Sequence, residues 1–183
     1  MEIPKNQIFV FDNVISDEIC EELVKIIDEE ADLEEKWGQG SNVQCKCIMV
    51  TRIKEAQKYD KIIYDIIHER IKDFSSCDLT ITGDCGYNLR RITGPTRQHK
   101  DGVLGNQNMK NVDTNQIRNM SVIIALNSDY NGGEFCFPEQ NYMIKLKRGQ
   151  MIAFPPYWTH PHFTNGLRDD TYRYTINTWL YGK

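Results

Sequence analysis

Long apolar runs are missing from this sequence. A membrane-spanning helix requires about 18 consecutive apolar residues, and no stretch of this chain approaches that length. The segment from Met1 to Asn6 also lacks the charged start and apolar run of a secretory signal. We therefore expect a soluble, cytoplasmic protein without a membrane partner.

An excess of basic residues is missing as well. The chain has 22 Lys and Arg against 26 Asp and Glu, which gives a formal net charge of -4. Arg90, Arg91 and Arg97 could form a local basic patch, but the overall balance argues against a general nucleic-acid-binding face. Nucleic acid is not expected as a partner.

The six cysteines include no C-x-x-C pair and no Cys/His spacing typical of zinc sites. Without a secretory signal, reduced thiols are expected rather than disulfides. Cys45 and Cys47 share one face if their segment is a strand. We interpret them as small residues of a half-buried strand rather than as a metal or redox pair.

The chain length of 183 residues predicts one domain over residues 1–183. Its first part, about residues 14–75, has helical patterns. Ser16 is a candidate N-cap of a helix that runs to about Glu30, and a second apolar stripe covers roughly Ile53 to Phe74. His68 in this stripe is interpreted as an ordinary helix residue and not as a ligand.

From about residue 79 to residue 183 the pattern changes to short β-branched and aromatic runs broken by Gly, Pro, Asn and Asp. Asn131-Gly132-Gly133 predicts a hairpin, and the polar segment Gly102–Gln116 predicts a long loop. This order favours a mainly β jelly-roll barrel supported by N-terminal helices. The candidate strands are Leu79–Ile81, Tyr87–Ile92, Gln98–Asp101, Met120–Asn127, Glu134–Phe137, Tyr142–Lys145, Met151–Phe154, His160–Phe163 and Tyr172–Tyr181.

His99 and Asp101 form a His-x-Asp pair. Side chains at positions i and i+2 of a strand leave the same face, so both could bind one ion. Two imidazoles and one carboxylate leave positions on Fe(II) open for a co-substrate and O2. A distant strand would have to supply the third ligand, and parity alone does not choose between His160 and His162.

The last candidate strand has one polar face, formed by Arg173, Thr175, Asn177 and Trp179. If this face points into a barrel, Arg173 and Thr175 could bind a carboxylate, because a guanidinium binds it bidentately and a hydroxyl adds a donor. An exposed polar strand face is the alternative.

The sequence resembles the Fe(II)/2-oxoglutarate-dependent dioxygenases, and within them the prolyl 4-hydroxylase-like branch, from about Ile8 to the C-terminus. One His-x-Asp pair is a weak signal, whereas four segments in the family's order are a specific one. These segments are FDNVISDEICEELV, GPTRQHKDG, IRNMSVIIALNSDYNGGEFCFP and RGQMIAFPPYWTHPHFTNGLRDDTYRYTINTWL.

The resemblance implies a double-stranded β-helix core with an iron site. His99, Asp101 and His160 match the family's iron ligands, because the lead-in from Phe154 and Pro155 selects His160 over His162. Arg173 matches the basic residue that binds the distal carboxylate of 2-oxoglutarate.

Other positions match the family less completely. Arg118 and Trp179 match substrate contacts of the prolyl hydroxylase branch, and Gly132-Gly133 matches its structural Gly-Gly turn. Two tyrosines that the family often has before the metal pair are missing, and Arg90 or Arg91 and Thr96 stand there. Tyr87 is the candidate to replace a missing phenol in cofactor binding.

The resemblance therefore implies a hydroxylase that uses Fe(II), 2-oxoglutarate and O2, with ascorbate as the reductant. Its expected substrate is a peptidyl proline of the procollagen type, with release of succinate and CO2. The alternatives keep these cofactors but act on another protein residue, a free amino acid, a small metabolite or a nucleobase. A non-catalytic metal-binding module belongs to a different class, and formation of succinate would exclude it.

Overall fold

The computed structural model describes residues 6–31, 34–36, 44–74, 79–102 and 117–182. Among them, helices α1 and α2 precede most of the strands. The helices are α1 (Asp17–Glu30) and α2 (Ala56–Phe74); the strands are β1 (Phe9–Phe11), β2 (Glu34–Lys36), β3 (Gln44–Met49), β4 (Ile81–Asp84), β5 (Asn88–Ile92), β6 (Thr96–His99), β7 (Arg118–Ala125), β8 (Asn131–Gly132), β9 (Phe135–Phe137), β10 (Tyr142–Ile144), β11 (Met151–Phe154), β12 (His162–Thr164), β13 (Leu167–Arg168) and β14 (Arg173–Gly182).

The two helices begin close to their predicted positions. The Ser16 hydroxyl accepts a hydrogen bond from the Ile19 amide at 3.4 Å, which confirms the N-cap of α1. A 3-10 turn over Val50–Arg52 comes before α2, so α2 starts at Ala56 rather than at Ile53. Neither helix of the described part is long and apolar enough to cross a membrane.

The strands form two main antiparallel sheets. The larger sheet has the order β1-β11-β7-β14-β5-β3-β2, with β4 also paired to β14. The smaller sheet has the order β10-β9-β12-β6, and β8 and β13 form a separate pair. A mainly β architecture with N-terminal helices is therefore confirmed. The strand pairings among the described residues do not close the two sheets into a barrel, so the jelly-roll barrel stays a prediction, as does one domain over the whole chain.

The two faces of the larger sheet belong to different hydrophobic clusters. On one face, Leu23, Ile27, Ile63 and Ile67 of the helices join Leu89 and other sheet residues in the main hydrophobic core. On the other face, residues of β7 and β11 pack with residues of the smaller sheet. This second cluster comprises Ile8, Ile123, Ala125, Phe135, Phe137, Leu146, Ile152 and Phe154. The space between the sheets is thus partly filled by side chains of both.

The glycine pair connects the two sheets instead of forming the predicted hairpin. Strands β7 and β9 belong to different sheets, and β8 pairs with β13. Gly132 and Gly133 have positive φ angles of 78° and 70°, which glycine adopts without strain. The hairpin prediction was wrong because the turn carries the chain from one sheet to the other.

Five of the six cysteines lie among the described residues. Cys20, Cys45, Cys47, Cys85 and Cys136 form no disulfide with one another. Cys45 and Cys47 lie buried on β3 beside Ile92, which confirms a strand there. Cys77 and the loop from residue 103 to residue 116 lie outside the described residues.

Candidate active site between the two sheets

His99, Asp101 and His162 come together at one end of the smaller sheet. Strands β12 and β6 are paired antiparallel, and their register places His162 directly opposite His99. The candidate ligand atoms of the three residues all lie within 4.8 Å of one another. This cluster has the donor set of two imidazoles and one carboxylate that suits Fe(II).

Both imidazoles are oriented by backbone carbonyls. The Nδ1 atom of His99 lies 2.7 Å from the carbonyl of Arg97, and that of His162 lies 3.1 Å from the carbonyl of His160. A carbonyl only accepts, so each Nδ1 carries the proton and each Nε2 keeps a lone pair in the neutral ring. The Nε2 atoms lie 3.5 and 3.7 Å from the Asp101 carboxylate.

His160 is held elsewhere. Its Nε2 atom lies 2.8 Å from the carbonyl of Asn6, and its Nδ1 atom lies 2.9 Å from the Thr159 hydroxyl. Both ring nitrogens therefore have partners within the protein. The geometry corrects the expectation for His160: the third imidazole beside the His-x-Asp pair is His162. Strand parity could not distinguish His160 from His162, because it treats both as strand residues. In the structure His160 lies in the turn before β12, whereas His162 is the first residue of the strand.

Asp101 is tied to the larger sheet. Its carboxylate accepts a hydrogen bond of 2.7 Å from the Ser121 hydroxyl on β7. Its backbone carbonyl accepts one of 2.8 Å from Arg118, also on β7. These two contacts fix the residue between the sheets. Ser121 was not singled out from the sequence, although it is a polar residue within the apolar run of β7.

The electrostatics keep Asp101 charged. Burial alone would raise the pKa of Asp101, but its interactions with the His99 and His162 side chains and the hydrogen bond from Ser121 hold it well below its usual range. Burial lowers the pKa of His162. Burial also acts to lower the pKa of His99, but the hydrogen bond and charge of Asp101 outweigh it and raise that pKa.

Arg173 lies on the opposite side of the same pocket. It is the first residue of β14, and its side chain is only 2% exposed. One guanidinium nitrogen donates to the Gly133 carbonyl at 2.7 Å, and the guanidinium carbon lies 4.8 Å from the centre of the Phe135 ring. The Nε atom is buried without a hydrogen-bond partner among the described residues.

A buried guanidinium without a carboxylate partner is energetically costly. Burial accordingly lowers the pKa of Arg173 to about 10, which still leaves the group charged near neutrality. The side chain therefore fits an anionic ligand that enters the pocket. A carboxylate there would supply both the missing acceptor and the missing opposite charge.

The polar face of β14 lines this pocket, as its period-two pattern predicts. Thr175, Asn177 and Trp179 join Arg173 in the wall. The Thr175 hydroxyl donates to the Asn177 side chain at 2.6 Å, so its own proton is already engaged. Within the described part of the chain, the lining consists of Arg90, Ile92, Thr96, His99, Asp101, Ile123, Phe135, His162, Thr164, Arg173, Thr175, Asn177 and Trp179.

Tyr87 lies on the other side of the larger sheet. It belongs to the core cluster beneath the helices, and its hydroxyl donates to Asp84 at 2.8 Å. The expectation that Tyr87 replaces a missing phenol in the pocket is thereby corrected. Strand parity explains the difference, because Tyr87 shares the side of Leu89, while Arg90 and Ile92 face the pocket.

The two candidate substrate contacts, Arg118 and Trp179, are neighbours. The Arg118 guanidinium carbon lies 3.9 Å from the centre of the Trp179 ring. They form a cation–π pair beside Asp101. His68 lies on α2, where the centre of its ring is 3.7 Å from that of Tyr64. This agrees with its interpretation as an ordinary helix residue.

Comparison with known proteins agrees with this site. The family model described as the 2OG-Fe(II) oxygenase superfamily matches residues 88–181. The chain belongs to the 2OG-Fe(II) oxygenase superfamily. The match spans β5 to β14 and includes the histidine–aspartate cluster and Arg173. This family uses Fe(II), 2-oxoglutarate and O2. No curated protein matches the sequence.

Solved structures share the fold of this oxygenase. A viral collagen prolyl hydroxylase from Paramecium Bursaria Chlorella virus-1, in a 2-oxoglutarate complex, has a TM-score of 0.72 at 18% identity, with 96% of each chain covered. A Trichoplax adhaerens prolyl hydroxylase in complex with a hypoxia inducible factor peptide fragment also has a TM-score of 0.72, at 14% identity, with 97% of this chain and 84% of the other covered.

A prolyl-4-hydroxylase from Pseudomonas putida has a TM-score of 0.67 at 13% identity. The alignment covers 96% of this chain and 92% of that chain. Together these likenesses establish a shared fold over nearly the whole length.

Proposed function

We propose that the protein is an Fe(II)- and 2-oxoglutarate-dependent dioxygenase that hydroxylates a prolyl residue of a peptide or protein. One observation carries this proposal: the cluster of His99, Asp101 and His162 shares a pocket with Arg173, which is buried and has no carboxylate partner among the described residues. Membership in the oxygenase superfamily supports the reaction class.

His99, Asp101 and His162 would hold the iron in this proposal. The backbone carbonyls of Arg97 and His160 hold the two Nδ1–H groups, so the rings present Nε2 toward Asp101. Such outer contacts orient metal-binding imidazoles and fix their tautomer. The Ser121 hydroxyl does the same for Asp101.

Arg173 would bind the distal carboxylate of 2-oxoglutarate. Its buried Nε, its fixed contact with the Gly133 carbonyl and its place across the pocket from the histidines fit this role. When bound, Fe(II) and 2-oxoglutarate supply the oxidising chemistry, in which O2 is consumed and succinate and CO2 are released. The surrounding Phe135, Ile92 and Ile123 side chains limit the access of water to the pocket.

Prolyl substrates are favoured by the fold. The compared structures, at 13% to 18% identity, are those of prolyl hydroxylases, and one of them is in complex with a peptide fragment. Tyr157 lies against Gly102, the residue after Asp101, and together with the exposed Trp158 it offers an apolar surface that a peptide could contact. Ascorbate is the proposed reductant.

Turnover of 2-oxoglutarate tests the reaction class. Purified protein with Fe(II), ascorbate and candidate peptides should form succinate, and His162→Ala should abolish this. His160→Ala is the matched control, because this histidine is two residues away and its ring nitrogens bond to Asn6 and Thr159 instead of facing Asp101. It should retain metal binding and turnover. Loss of both activities in His160→Ala, with His162→Ala still active, would restore His160 as the ligand.

The prolyl substrate needs a separate test. Incubation with proline-containing peptides should add a mass of one oxygen, and fragmentation should place it on proline. If free amino acids react and peptides do not, the prolyl assignment is wrong while the oxygenase assignment stands. Wild-type protein that binds no 2-oxoglutarate would contradict the proposed function itself.

A further inference from the structure

Arg90 is a second cation in the pocket. It lies on β5 and lines the pocket together with Arg173 and the histidine–aspartate cluster. Its place in the chain is one where the resemblance leads us to expect a tyrosine, so the charge is a property of this chain. Arg91, the next residue, lies on the other side of the sheet, where it pairs with Asp28 of α1 at 2.9 Å.

The Arg90 side chain extends toward the metal end of the pocket. Its backbone lies opposite Thr175, two residues along β14 from Arg173. Its guanidinium carbon reaches to 5.8 Å from the centre of the Trp179 ring. Trp179 in turn lies opposite Ser121, the residue that donates to the Asp101 carboxylate.

The pocket thus has a guanidinium near each of its ends. Arg173 lies at the end away from Asp101, and Arg90 reaches toward the cluster. Among the described lining residues, Asp101 is the single carboxylate, and the metal would neutralise it. Two guanidinium groups therefore face whatever anion enters, and a dicarboxylate matches both.

We propose that Arg90 binds the carboxylate of 2-oxoglutarate that adjoins the oxo group, while Arg173 binds the distal one. This inference rests on the proposed function, since it assigns the second end of the same co-substrate. Arg90 adds a charge-assisted contact to the carboxylate that also approaches the metal. It orients the oxo acid in the pocket and raises its affinity.

Two ligands, 2-oxoglutarate and 2-oxopentanoate, distinguish contacts at the two ends of the co-substrate. 2-Oxopentanoate keeps the carboxylate and the oxo group at the metal end but lacks the distal carboxylate of 2-oxoglutarate. Calorimetric titration of the Mn(II)-loaded full-length protein measures both affinities without turnover. Arg90→Met should weaken both ligands by the same factor, about tenfold for one lost charge-assisted contact. Arg173→Met should weaken 2-oxoglutarate and leave 2-oxopentanoate unchanged.

Arg91→Met is the matched control, since it removes the same group from the opposite face of the same strand. It should leave both affinities unchanged. The unfolding midpoint of each variant without ligand shows whether it is folded. If Arg90→Met does not fold, Arg90→Lys decides: it keeps the charge without the planar fork and should weaken both ligands by a smaller common factor.

Three results would overturn the inference. Unchanged affinities in the folded Arg90 variants would show that Arg90 does not contact the co-substrate. Weakening of 2-oxoglutarate alone would place Arg90 at the distal end. Weaker binding of a peptide substrate with unchanged 2-oxoglutarate affinity would make Arg90 a substrate residue. Failure of the wild-type protein to bind 2-oxoglutarate is a different result, and it contradicts the proposed function instead.

Discussion

His160 and His162 are two residues apart and both buried, yet their ring nitrogens have different partners. The backbone carbonyl of His160 holds Nδ1 of His162, while the ring of His160 contacts Asn6 and Thr159. The Nε2 lone pair of His162 is therefore available on the side of Asp101, whereas both ring nitrogens of His160 already have partners. At the scale of single residues, these partners decide which imidazole is available to a metal.

Ser121 provides a test of how the Asp101 carboxylate is held. Ser121→Ala removes the hydroxyl that donates to Asp101 at 2.7 Å. We expect the affinity for Mn(II) or Fe(II) to fall about tenfold, because residues that orient metal ligands contribute on this scale. Anaerobic metal titration measures it. Ser128→Ala, at an exposed position after β7, is the control and should bind metal like the wild type. Equal affinity in both variants would show that Ser121 does not orient the ligand.

At the scale of elements, the pairing of β6 with β12 places His99 opposite His162. The pairing of β14 with β7 and β5 places the polar face of β14 in the pocket. Each of these strands contributes by its register, because a shift of one residue would turn every side chain to the other face. The site is therefore a consequence of strand pairing between segments far apart in the chain.

The Gly132-Gly133 turn helps to position Arg173, because it carries a carbonyl that the Arg173 guanidinium contacts. A Cβ atom on Gly132 would lie 2.1 Å from the Gly166 carbonyl oxygen, and its φ is 78°. The next carbonyl, that of Gly133, accepts from Arg173. Gly132→Ala should therefore lower the free energy of unfolding by about 1 to 3 kcal/mol, which is typical of strained backbone, and should weaken 2-oxoglutarate binding.

Gly166→Ala is the natural comparison for this prediction. Gly166 precedes Leu167, the residue that pairs with Gly132, but a Cβ on Gly166 would have its nearest neighbour at 4.0 Å. Chemical denaturation of both variants and titration with 2-oxoglutarate measure the two effects. A Gly132→Ala protein as stable as Gly166→Ala would show that the turn tolerates a side chain.

At the scale of the whole molecule, the site joins two sheets. The histidines belong to the smaller sheet, Arg173 and Ser121 to the larger sheet, and Asp101 bridges them. A ligand that contacts both sheets should therefore stabilise the native protein. Binding to the native state alone adds about 2.7 kcal/mol when the free ligand is 100-fold above its dissociation constant.

The unfolding midpoint should consequently rise by roughly 5 to 10 °C with Mn(II) and 2-oxoglutarate together, given the usual relation for a chain of this size. Differential scanning fluorimetry measures this shift. His162→Ala should show little of it, whereas His160→Ala should show most of it. A shift of the same size in His162→Ala would mean that the ligands bind elsewhere.

Local patterns predicted much of the secondary structure and part of the site. The apolar stripes predicted α1 and α2, a short apolar run predicted β11, and the period-two pattern predicted the polar face of β14. These signals are local, because each depends only on residues within a few positions. The same rule did not predict the short strands β8 and β13, whose two-residue lengths leave no pattern to detect.

The sequence by itself determined that His99 and Asp101 share a strand end, that Arg173 heads a polar strand face and that a 2OG-Fe(II) oxygenase motif is present. The tertiary structure alone decided three further points. It selected His162 through its pairing with His99, brought Ser121 to Asp101, and turned Tyr87 away from the pocket while Arg90 lines it. Each depends on which distant strands pair and in which register, and no local pattern encodes this.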